Sequence, residues 1–263
     1  MRPYPVAVGA RVCYIYGMEK ANTSAHSAAA KTHLVVFDLD GTLAMLGAPV
    51  GDADAAALRT LSERAYIAIA SGKPTYYLCG FARQLGIADA VLIGENGCTM
   101  QFGVGLPPAQ NERFTSSKRA LEQLDRARKD IPELFASGIW CQPNEVMFTP
   151  FPTSEEQFAA IRDYNRAHAG DLDALDIYEH CDSLDYVPSG ISKKTAVTAL
   201  AEKLGLPLSR VIAVGDGVND YPMFECAGVS VGVDLASPGR ADRNFKALSE
   251  ALSFILGLTG GEG

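Results

Sequence analysis

The stretch that decides the fold reads Leu34-Val35-Val36-Phe37-Asp38-Leu39-Asp40-Gly41-Thr42. Its four consecutive apolar residues predict a short strand buried on both faces, as in a parallel sheet covered by helices. The Asp-Leu-Asp-Gly segment that follows predicts a turn at the end of this strand. The stretch therefore predicts a buried strand that brings two carboxylates to one edge of a sheet.

Similar segments follow along the chain. Short apolar runs occur at 66–70, 90–93 and 211–214, residues 229–233 look like a further strand, and helical patterns lie between several of these segments. Alternating strands and helices predict a parallel sheet with right-handed crossovers. The predicted fold class is α/β, a three-layer Rossmann-like core built on a parallel sheet.

The pattern changes in the middle of the chain. Between residues 98 and 187, charged helices alternate with strands that look antiparallel, and the segment 176–187 is interpreted as one such strand. This change predicts a small α+β cap domain, residues 98–187, inserted into a catalytic core formed by 31–97 and 188–257. Residues 1–30 lie before the first buried strand, and we expect them to form a disordered tail.

Composition narrows the possible functions. The 263 residues carry a net charge of −8, which argues against a nucleic-acid-binding protein because that function needs a basic patch. No apolar run approaches the roughly 18 residues that span a bilayer. The six cysteines are scattered, which indicates free thiols and favours a cytoplasmic location. We expect a monomer or a homodimer.

Polar residues cluster where the predicted strands end. Asp38 and Asp40 follow the first strand, Ser71 follows the second, and Asp216 and Asp220 follow the strand at 211–214. In an open parallel sheet, ligands bind at the carboxyl ends of the strands. Four carboxylates at one edge would repel each other, so a cation is expected between them. Oxygen ligands of this kind suit Mg²⁺.

Four segments of this chain resemble the four ordered motifs of the haloacid dehalogenase superfamily. They are Asp38-Leu39-Asp40-Gly41-Thr42, Ser71-Gly72-Lys73, Lys193 and Gly215-Asp216-Gly217-Val218-Asn219-Asp220. The likeness covers about residues 33–257. The Gly94-Glu95-Asn96-Gly97 segment and the insertion after the third strand resemble the Cof-type branch with a type IIB cap. That branch includes sugar-phosphate and phosphoglycolate phosphatases and phosphomannomutase.

The resemblance implies the catalytic roles. Asp38 would be the nucleophile that forms an aspartyl-phosphate, and Asp40 would be the general acid and base. Ser71 would help to bind the phosphoryl group, and Lys193 would hold its charge and restrain Asp38. Because Lys194 lies beside Lys193, the choice between the two lysines depends on the residues that precede them.

The resemblance also implies a metal site and a phosphate site. Mg²⁺ would be held by Asp38, the backbone carbonyl of Asp40 and Asp216, and Asp220 would complete the metal site by placing a metal-bound water or would orient Lys193. The other residues predicted to contact phosphate or substrate are Leu39, Gly41, Thr42, Gly72, Asn96 and Asn219. His180 is interpreted as a structural histidine.

The implied function is Mg²⁺-dependent hydrolysis of a small phosphorylated metabolite, such as a sugar phosphate or phosphoglycolate. Two alternatives stay open. A phosphomutase would share both aspartates but return the phosphate to a sugar, and a non-catalytic phosphate-binding protein would keep only the scaffold. Neither nucleic acid nor membrane is expected as a partner.

Overall fold

The computed structural model describes residues 4–8, 11–15, 31–115 and 117–260. Residues 1–30 form a unit of their own, in which β1 (Tyr4–Val8) and β2 (Arg11–Ile15) pair as antiparallel strands. The rest of the segment predicted to be a disordered tail lies outside the described residues. The second unit begins at Lys31.

A sheet of eight strands forms the centre of this unit, in the order β14-β13-β12-β3-β4-β5-β6-β7. Its strands are β3 (Leu34–Phe37), β4 (Tyr66–Ala70), β5 (Val91–Gly94), β6 (Thr99–Phe102), β7 (Gln110–Arg113), β12 (Val211–Gly215), β13 (Val229–Val233) and β14 (Arg243–Phe245). Neighbouring strands are parallel except at β5-β6 and β6-β7, which are antiparallel. The predicted α/β class with a mostly parallel sheet is confirmed.

Helices cover both faces of the sheet. They are α1 (Asp52–Arg64), α2 (Thr75–Leu85), α5 (Lys193–Lys203), α6 (Tyr221–Phe224) and α7 (Leu248–Gly260). Alternate residues of β3 belong to two separate apolar clusters. Val35 and Phe37 pack with α1, α2 and α7, whereas Leu34 and Val36 pack with α5 and α6. The strand is therefore apolar throughout because each of its faces is covered by a helical layer.

The remaining elements form a module with its own apolar cluster. They are α3 (Lys118–Glu133), β8 (Trp140–Cys141), β9 (Pro150–Phe151), α4 (Glu155–Ala167), β10 (Leu175–Glu179) and β11 (Leu184–Pro188). Leu124 of α3, Ile161 of α4 and Tyr186 of β11 are buried together in this cluster. We refer to residues 118–188 as the inserted module.

The inserted module begins later than the predicted boundary at residue 98. β6 and β7 continue the central sheet, so the chain leaves the sheet after Arg113. The reason is the reversal that follows β5, where Glu95, Asn96 and Gly97 all have positive φ values of 55°, 54° and 106°. This tight turn sends β6 back along β5 as an antiparallel strand.

Among the described helices, none combines the length and the apolar character that crossing a membrane requires.

Candidate active site

The carboxyl ends of β3, β4 and β12 meet at one edge of the sheet. Phe37 of β3 pairs with Ile69 of β4 on one side and with Val214 of β12 on the other. The amide of Asp38 donates to the carbonyl of Val214 at 2.8 Å, which continues this register beyond the strand. The turns after the three strands therefore lie side by side.

Three aspartates from these turns form an acidic cluster. One carboxylate oxygen from each of Asp38, Asp216 and Asp220 lies within 4.8 Å of the others. Burial, together with the carboxylates of Asp220 and Asp216, raises the pKa of Asp38 to about 7 in spite of the nearby ammonium of Lys193. Burial also raises the pKa of Asp216. Three carboxylates that lie this close together and away from water repel one another, so they require positive charge between them.

Lys193 supplies part of that charge. Its ammonium donates to Asp38 Oδ1 at 2.5 Å and to Asp220 Oδ1 at 2.7 Å, and the lysine is 2% exposed. Burial opposes the charge, but the two carboxylates outweigh it and raise the pKa of Lys193. Lys194 points elsewhere and pairs with Glu225 on the surface. The geometry therefore distinguishes the two neighbouring lysines.

The turn after β12 is shaped by Asp220. Its second oxygen, Oδ2, accepts the amides of Asp216 and Gly217, both at 3.1 Å. Across the edge, the Thr42 hydroxyl donates to Asp216 Oδ1 at 2.7 Å. Thr42, predicted to contact phosphate, thus orients an aspartate of the cluster. Gly41 has a φ of +91°, and a side chain there would collide with the carboxylate of Asp216.

The turn after β3 offers backbone donors. In the described part of the chain, the amides of Leu39 and Asp40 have no hydrogen-bond acceptor, whereas the Gly41 amide donates to the Ala44 carbonyl at 2.8 Å. Gly41 was predicted to present its amide to phosphate, but the turn closes on itself and uses that donor. Two free amides next to Asp38 leave a place where an anion can bind.

Asp40 lies beside the cluster and has a different partner. Its Oδ2 accepts from Lys73 Nζ at 2.7 Å. Sequence reasoning quoted Lys73 in a motif but gave it no role. The available signal was its position two residues after Ser71, at the same edge of the sheet. Ser71 is itself buried, and its hydroxyl oxygen accepts from the Lys73 amide at 3.2 Å.

A cavity of about 460 Å³ lies between this edge and the inserted module. From the edge, it is lined by Asp38, Asp40, Leu46, Ser71, Gly72, Lys73, Asn96 and Asn219. From the inserted module, it is lined by Gln142, Thr149, Phe151, His180, Cys181, Asp182, Ser183 and Asp185, which we call the module wall. Six of the predicted residues are not part of this lining: Leu39, Gly41, Thr42, Lys193, Asp216 and Asp220. Lys193 donates to the lining residue Asp38, and carboxylate oxygens of Asp216 and Asp220 lie within 4.8 Å of one of Asp38.

Asp185 connects the module wall to the edge. Its carboxylate accepts from Asn96 Nδ2 at 2.8 Å, from the Thr149 hydroxyl at 2.9 Å and from His180 Nε2 at 3.2 Å. The hydrogen bond to Asp185 is the main cause that raises the pKa of His180. Asn96, predicted to contact phosphate, thus uses its amide to hold Asp185. The role of Asp185 was missed because its segment was interpreted as a plain strand.

Glu95 makes a second connection to the inserted module. Its buried carboxylate accepts three consecutive amides, those of Glu145 at 2.7 Å, Val146 at 2.8 Å and Met147 at 3.0 Å. Burial raises the pKa of Glu95, and the three amides oppose this change. Arg128 of α3 donates to the carbonyls of Val146 and Met147 from the other side. The 145–147 loop is therefore fixed through its main chain.

The acidic cluster fits a divalent cation. Three carboxylates and no nitrogen or sulfur ligand form the set, which is the chemistry that hard cations prefer. The Asp40 carboxylate is not in this set and pairs with Lys73 instead. The resemblance assigns only the backbone carbonyl of Asp40 to the metal, and this stays a prediction.

Comparison with known proteins identifies the family. The haloacid dehalogenase-like hydrolase family matches residues 35–111 and 142–243, more than half of the chain, and the chain therefore belongs to this family. Phosphatases of this family generally use a divalent metal, in agreement with the acidic cluster.

Individual relatives agree with this assignment. A phosphoglycolate phosphatase of Methanoculleus marisnigri is 29% identical over 203 residues, which cover 76% of this chain and 82% of the relative. A haloacid dehalogenase-like hydrolase of Bacteroides thetaiotaomicron has a similar structure, with a TM-score of 0.71 and 18% identity over 86% of this chain and all (100%) of that one. A sugar phosphatase of subclass IIB has a TM-score of 0.65 and 18% identity, over 85% of this chain and 99% of that one. The prediction of a phosphatase with the subclass IIB fold is confirmed.

Proposed function

We propose that the chain hydrolyses the phosphate monoester of a small metabolite with Mg²⁺, through an aspartyl-phosphate on Asp38. The observation that carries the proposal is the meeting of Asp38, Asp216 and Asp220 around one point, with Lys193 bonded to two of them. Phosphoryl transfer depends mainly on positioning and on neutralising charge, and this cluster offers both.

The proposed Mg²⁺ ligands are the carboxylates of Asp38, Asp216 and Asp220 and the backbone carbonyl of Asp40. When bound, the ion would neutralise part of the phosphoryl charge during transfer. Thr42 holds Asp216 in place, and the amides of Asp216 and Gly217 hold Asp220. The ligands are thus oriented by partners of their own, as productive metal sites require.

In the first step, a carboxylate oxygen of Asp38 attacks phosphorus and the bond to the ester oxygen breaks. Lys193 Nζ already holds Asp38 Oδ1, which leaves Oδ2 as the attacking atom. Asp40, in the role of general acid, gives a proton to the departing oxygen, which leaves as an alcohol.

In the second step, Asp40 removes a proton from water, and the resulting hydroxide attacks phosphorus. The bond between phosphorus and Asp38 breaks, which releases inorganic phosphate and restores the carboxylate. The free amides of Leu39 and Asp40, with the Ser71 hydroxyl and the Gly72 amide, would bind the phosphoryl oxygens. Asn219 lies at the rim of the same cavity.

We further propose that the inserted module acts as the cap over a core made of the central sheet and its helices. The module wall covers the cavity, so it would exclude water and select the leaving group. The cytoplasmic location and the monomeric or homodimeric state stay predictions.

The test is hydrolysis of p-nitrophenyl phosphate with Mg²⁺ and after removal of the metal with a chelator. We expect turnover only with the metal. Asp38→Asn should lower kcat by at least about a thousandfold, because it removes the nucleophile. Asp89→Asn, which changes an exposed aspartate paired with Lys31, should leave the rate unchanged.

Equal rates for Asp38→Asn and the wild type would overturn the mechanism. Assay of free phosphate tests the phosphomutase alternative, since a mutase would release little phosphate and would need a bisphosphate activator. Absence of turnover with any phosphomonoester would favour the non-catalytic alternative.

A further inference from the structure

The charges of the catalytic cavity indicate what kind of leaving group it accepts. Among the residues that line it, Lys73 and His180 are the two that can carry positive charge. Lys73 is bonded to Asp40 at 2.7 Å, and His180 is bonded to Asp185 at 3.2 Å. Each positive group is therefore already neutralised by a carboxylate on its own side of the cavity.

Asp182 adds a second negative charge near His180, which is already bonded to Asp185, and Asp182 forms no salt bridge of its own in the described part of the chain. Its Oδ1 accepts from the Ser183 hydroxyl at 3.0 Å, and its Oδ2 has no donor in the described part of the chain. Asp182 is exposed to the cavity and to solvent, so this carboxylate is available to a ligand.

Gln142 presents an acceptor in the same way. Its amide nitrogen donates to the Gly72 carbonyl at 2.9 Å and to Asn144 Oδ1 at 2.7 Å, which uses its donors and fixes its orientation. Its Oε1 accepts from no group within the described residues. The module wall thus offers two uncommitted acceptors, Asp182 Oδ2 and Gln142 Oε1.

Acceptors need donors on the ligand. A hydroxyl group can donate to a carboxylate or to an amide oxygen, whereas an ionised carboxylate can only accept. A carboxylate on the leaving group would therefore leave both acceptors unpaired and would be repelled by Asp182.

The space available exceeds a two-carbon leaving group. A second cavity of about 360 Å³ shares Asn96, His180 and Asn219 with the catalytic cavity of about 460 Å³. It continues along Tyr178 and Val218, which are 49% and 74% exposed. The leaving group has room to extend beyond the module wall.

On the basis of the proposed hydrolase activity, we propose that the leaving group is an uncharged polyol of three or more carbons, and that Asp182 excludes leaving groups that carry a carboxylate. The natural substrate is then a polyol phosphate or a sugar phosphate, and 2-phosphoglycolate is a poor substrate of this chain.

The test uses substrates that differ only in one group. Glycerol 3-phosphate and 3-phosphoglycerate differ by a hydroxymethyl group in place of a carboxylate, and 2-hydroxyethyl phosphate and 2-phosphoglycolate differ in the same way. With Mg²⁺ in excess, we expect kcat/KM to be at least about tenfold higher for the neutral member of each pair, from the repulsion of like charges. Glycerol 3-phosphate should also exceed 2-hydroxyethyl phosphate.

Asp182→Asn tests the residue. The variant removes the charge but keeps the shape, so it should reduce the preference for the neutral substrates several-fold, mainly by improving KM for the carboxylates. Asp163→Asn is the matched control, since it removes one exposed aspartate charge on α4, outside the cavity, where Asp163 pairs with Arg166. Its preference should equal that of the wild type.

The outcomes separate this inference from the function on which it rests. Hydrolysis of the carboxylate substrates at equal or higher kcat/KM would overturn the inference and leave the phosphatase proposal intact. An unchanged preference in Asp182→Asn would also overturn it. If neither member of either pair is hydrolysed, and p-nitrophenyl phosphate is not hydrolysed either, both proposals fall together.

Discussion

The edge of the sheet and the module wall line the same cavity but are held in different ways. At the edge, Asp38, Asp220 and Lys193 are almost completely withdrawn from water and bonded to one another. In the module wall, His180, Cys181 and Asp182 come from an exposed loop between two strands. Under the proposed function, the chemistry therefore lies on buried strand ends, and selection of the substrate falls to an exposed loop, which is the kind of segment that tolerates sequence change best.

The largest effect is expected from a substitution that removes the ion pairs at the edge of the sheet. Lys193→Met removes the cation between Asp38 and Asp220 and leaves two buried carboxylates uncompensated, which should cost about 3–5 kcal/mol of the free energy of unfolding. Activity should fall by about a thousandfold or more. Urea unfolding in the presence of a chelator and kcat/KM for p-nitrophenyl phosphate measure the two effects.

Lys194→Met is the control for this variant. It removes a neighbouring lysine that pairs with Glu225 on the surface, where such pairs contribute at most about 1 kcal/mol. If both variants unfolded at the same urea concentration, the buried ion pairs of Lys193 would contribute no more to stability than the surface ion pair of Lys194, which would contradict the prediction.

A smaller effect tests the connection between the two regions. In Glu95→Gln, an NH₂ group replaces one of the two oxygens that accept the amides of Glu145, Val146 and Met147. The NH₂ group of the glutamine then faces a backbone N–H group that has lost its acceptor, and the free energy of unfolding should fall by about 1–3 kcal/mol. Hydrogen exchange of the amides at 145–147 should become faster than in the wild type.

Glu122→Gln serves for comparison, because Glu122 is an exposed residue of α3 that pairs with Lys118. It should change neither stability nor exchange at 145–147. Protection of these amides in Glu95→Gln at the wild-type level would show that the loop is held by other contacts.

The smallest effect concerns Lys73, at the border of the two regions. Lys73→Met leaves Asp40 without its partner, and a less well-oriented acid should slow the departure of poor leaving groups that need a proton. We expect kcat/KM for glycerol 3-phosphate to fall about tenfold more than that for p-nitrophenyl phosphate, whose leaving group needs no proton.

The ratio of the two rates is the decisive quantity, because general damage to the fold lowers both equally. Lys31→Met, at a surface lysine paired with Asp89, should leave the ratio unchanged. A ratio equal to that of the wild type in Lys73→Met would remove Lys73 from the positioning of Asp40.

The fold was predictable where local patterns decide the structure. β4 and β13 span the predicted residues 66–70 and 229–233, because short segments rich in apolar residues and bounded by turns favour buried strands. β7 was not predicted, since its sequence Gln110–Arg113 is polar and its strand state depends on pairing with β6. The strand expected at 176–187 is a hairpin, with residues 180–183 between β10 and β11.

The candidate site divides in the same way. The aspartates at the strand ends were predictable, since parallel strands bring their carboxyl ends together. The pairing of Lys73 with Asp40 joins residues 33 positions apart, and the contact of Glu95 with Glu145 joins residues 50 positions apart. The residues around Lys73 and Glu95 show no local pattern that predicts these contacts, so the contacts could be found only in the tertiary structure.

The contact of Glu95 has a consequence for how this protein can diverge. Glu95 recognises N–H groups alone, so this contact makes no demand on which side chains stand at 145, 146 and 147, although Val146 and Met147 are also constrained by their burial against Cys98 and Val187. Proline, which lacks that hydrogen, would break the contact. None of these three residues lines the cavity, so side chains of the module wall can be exchanged without loss of this connection between the inserted module and the sheet.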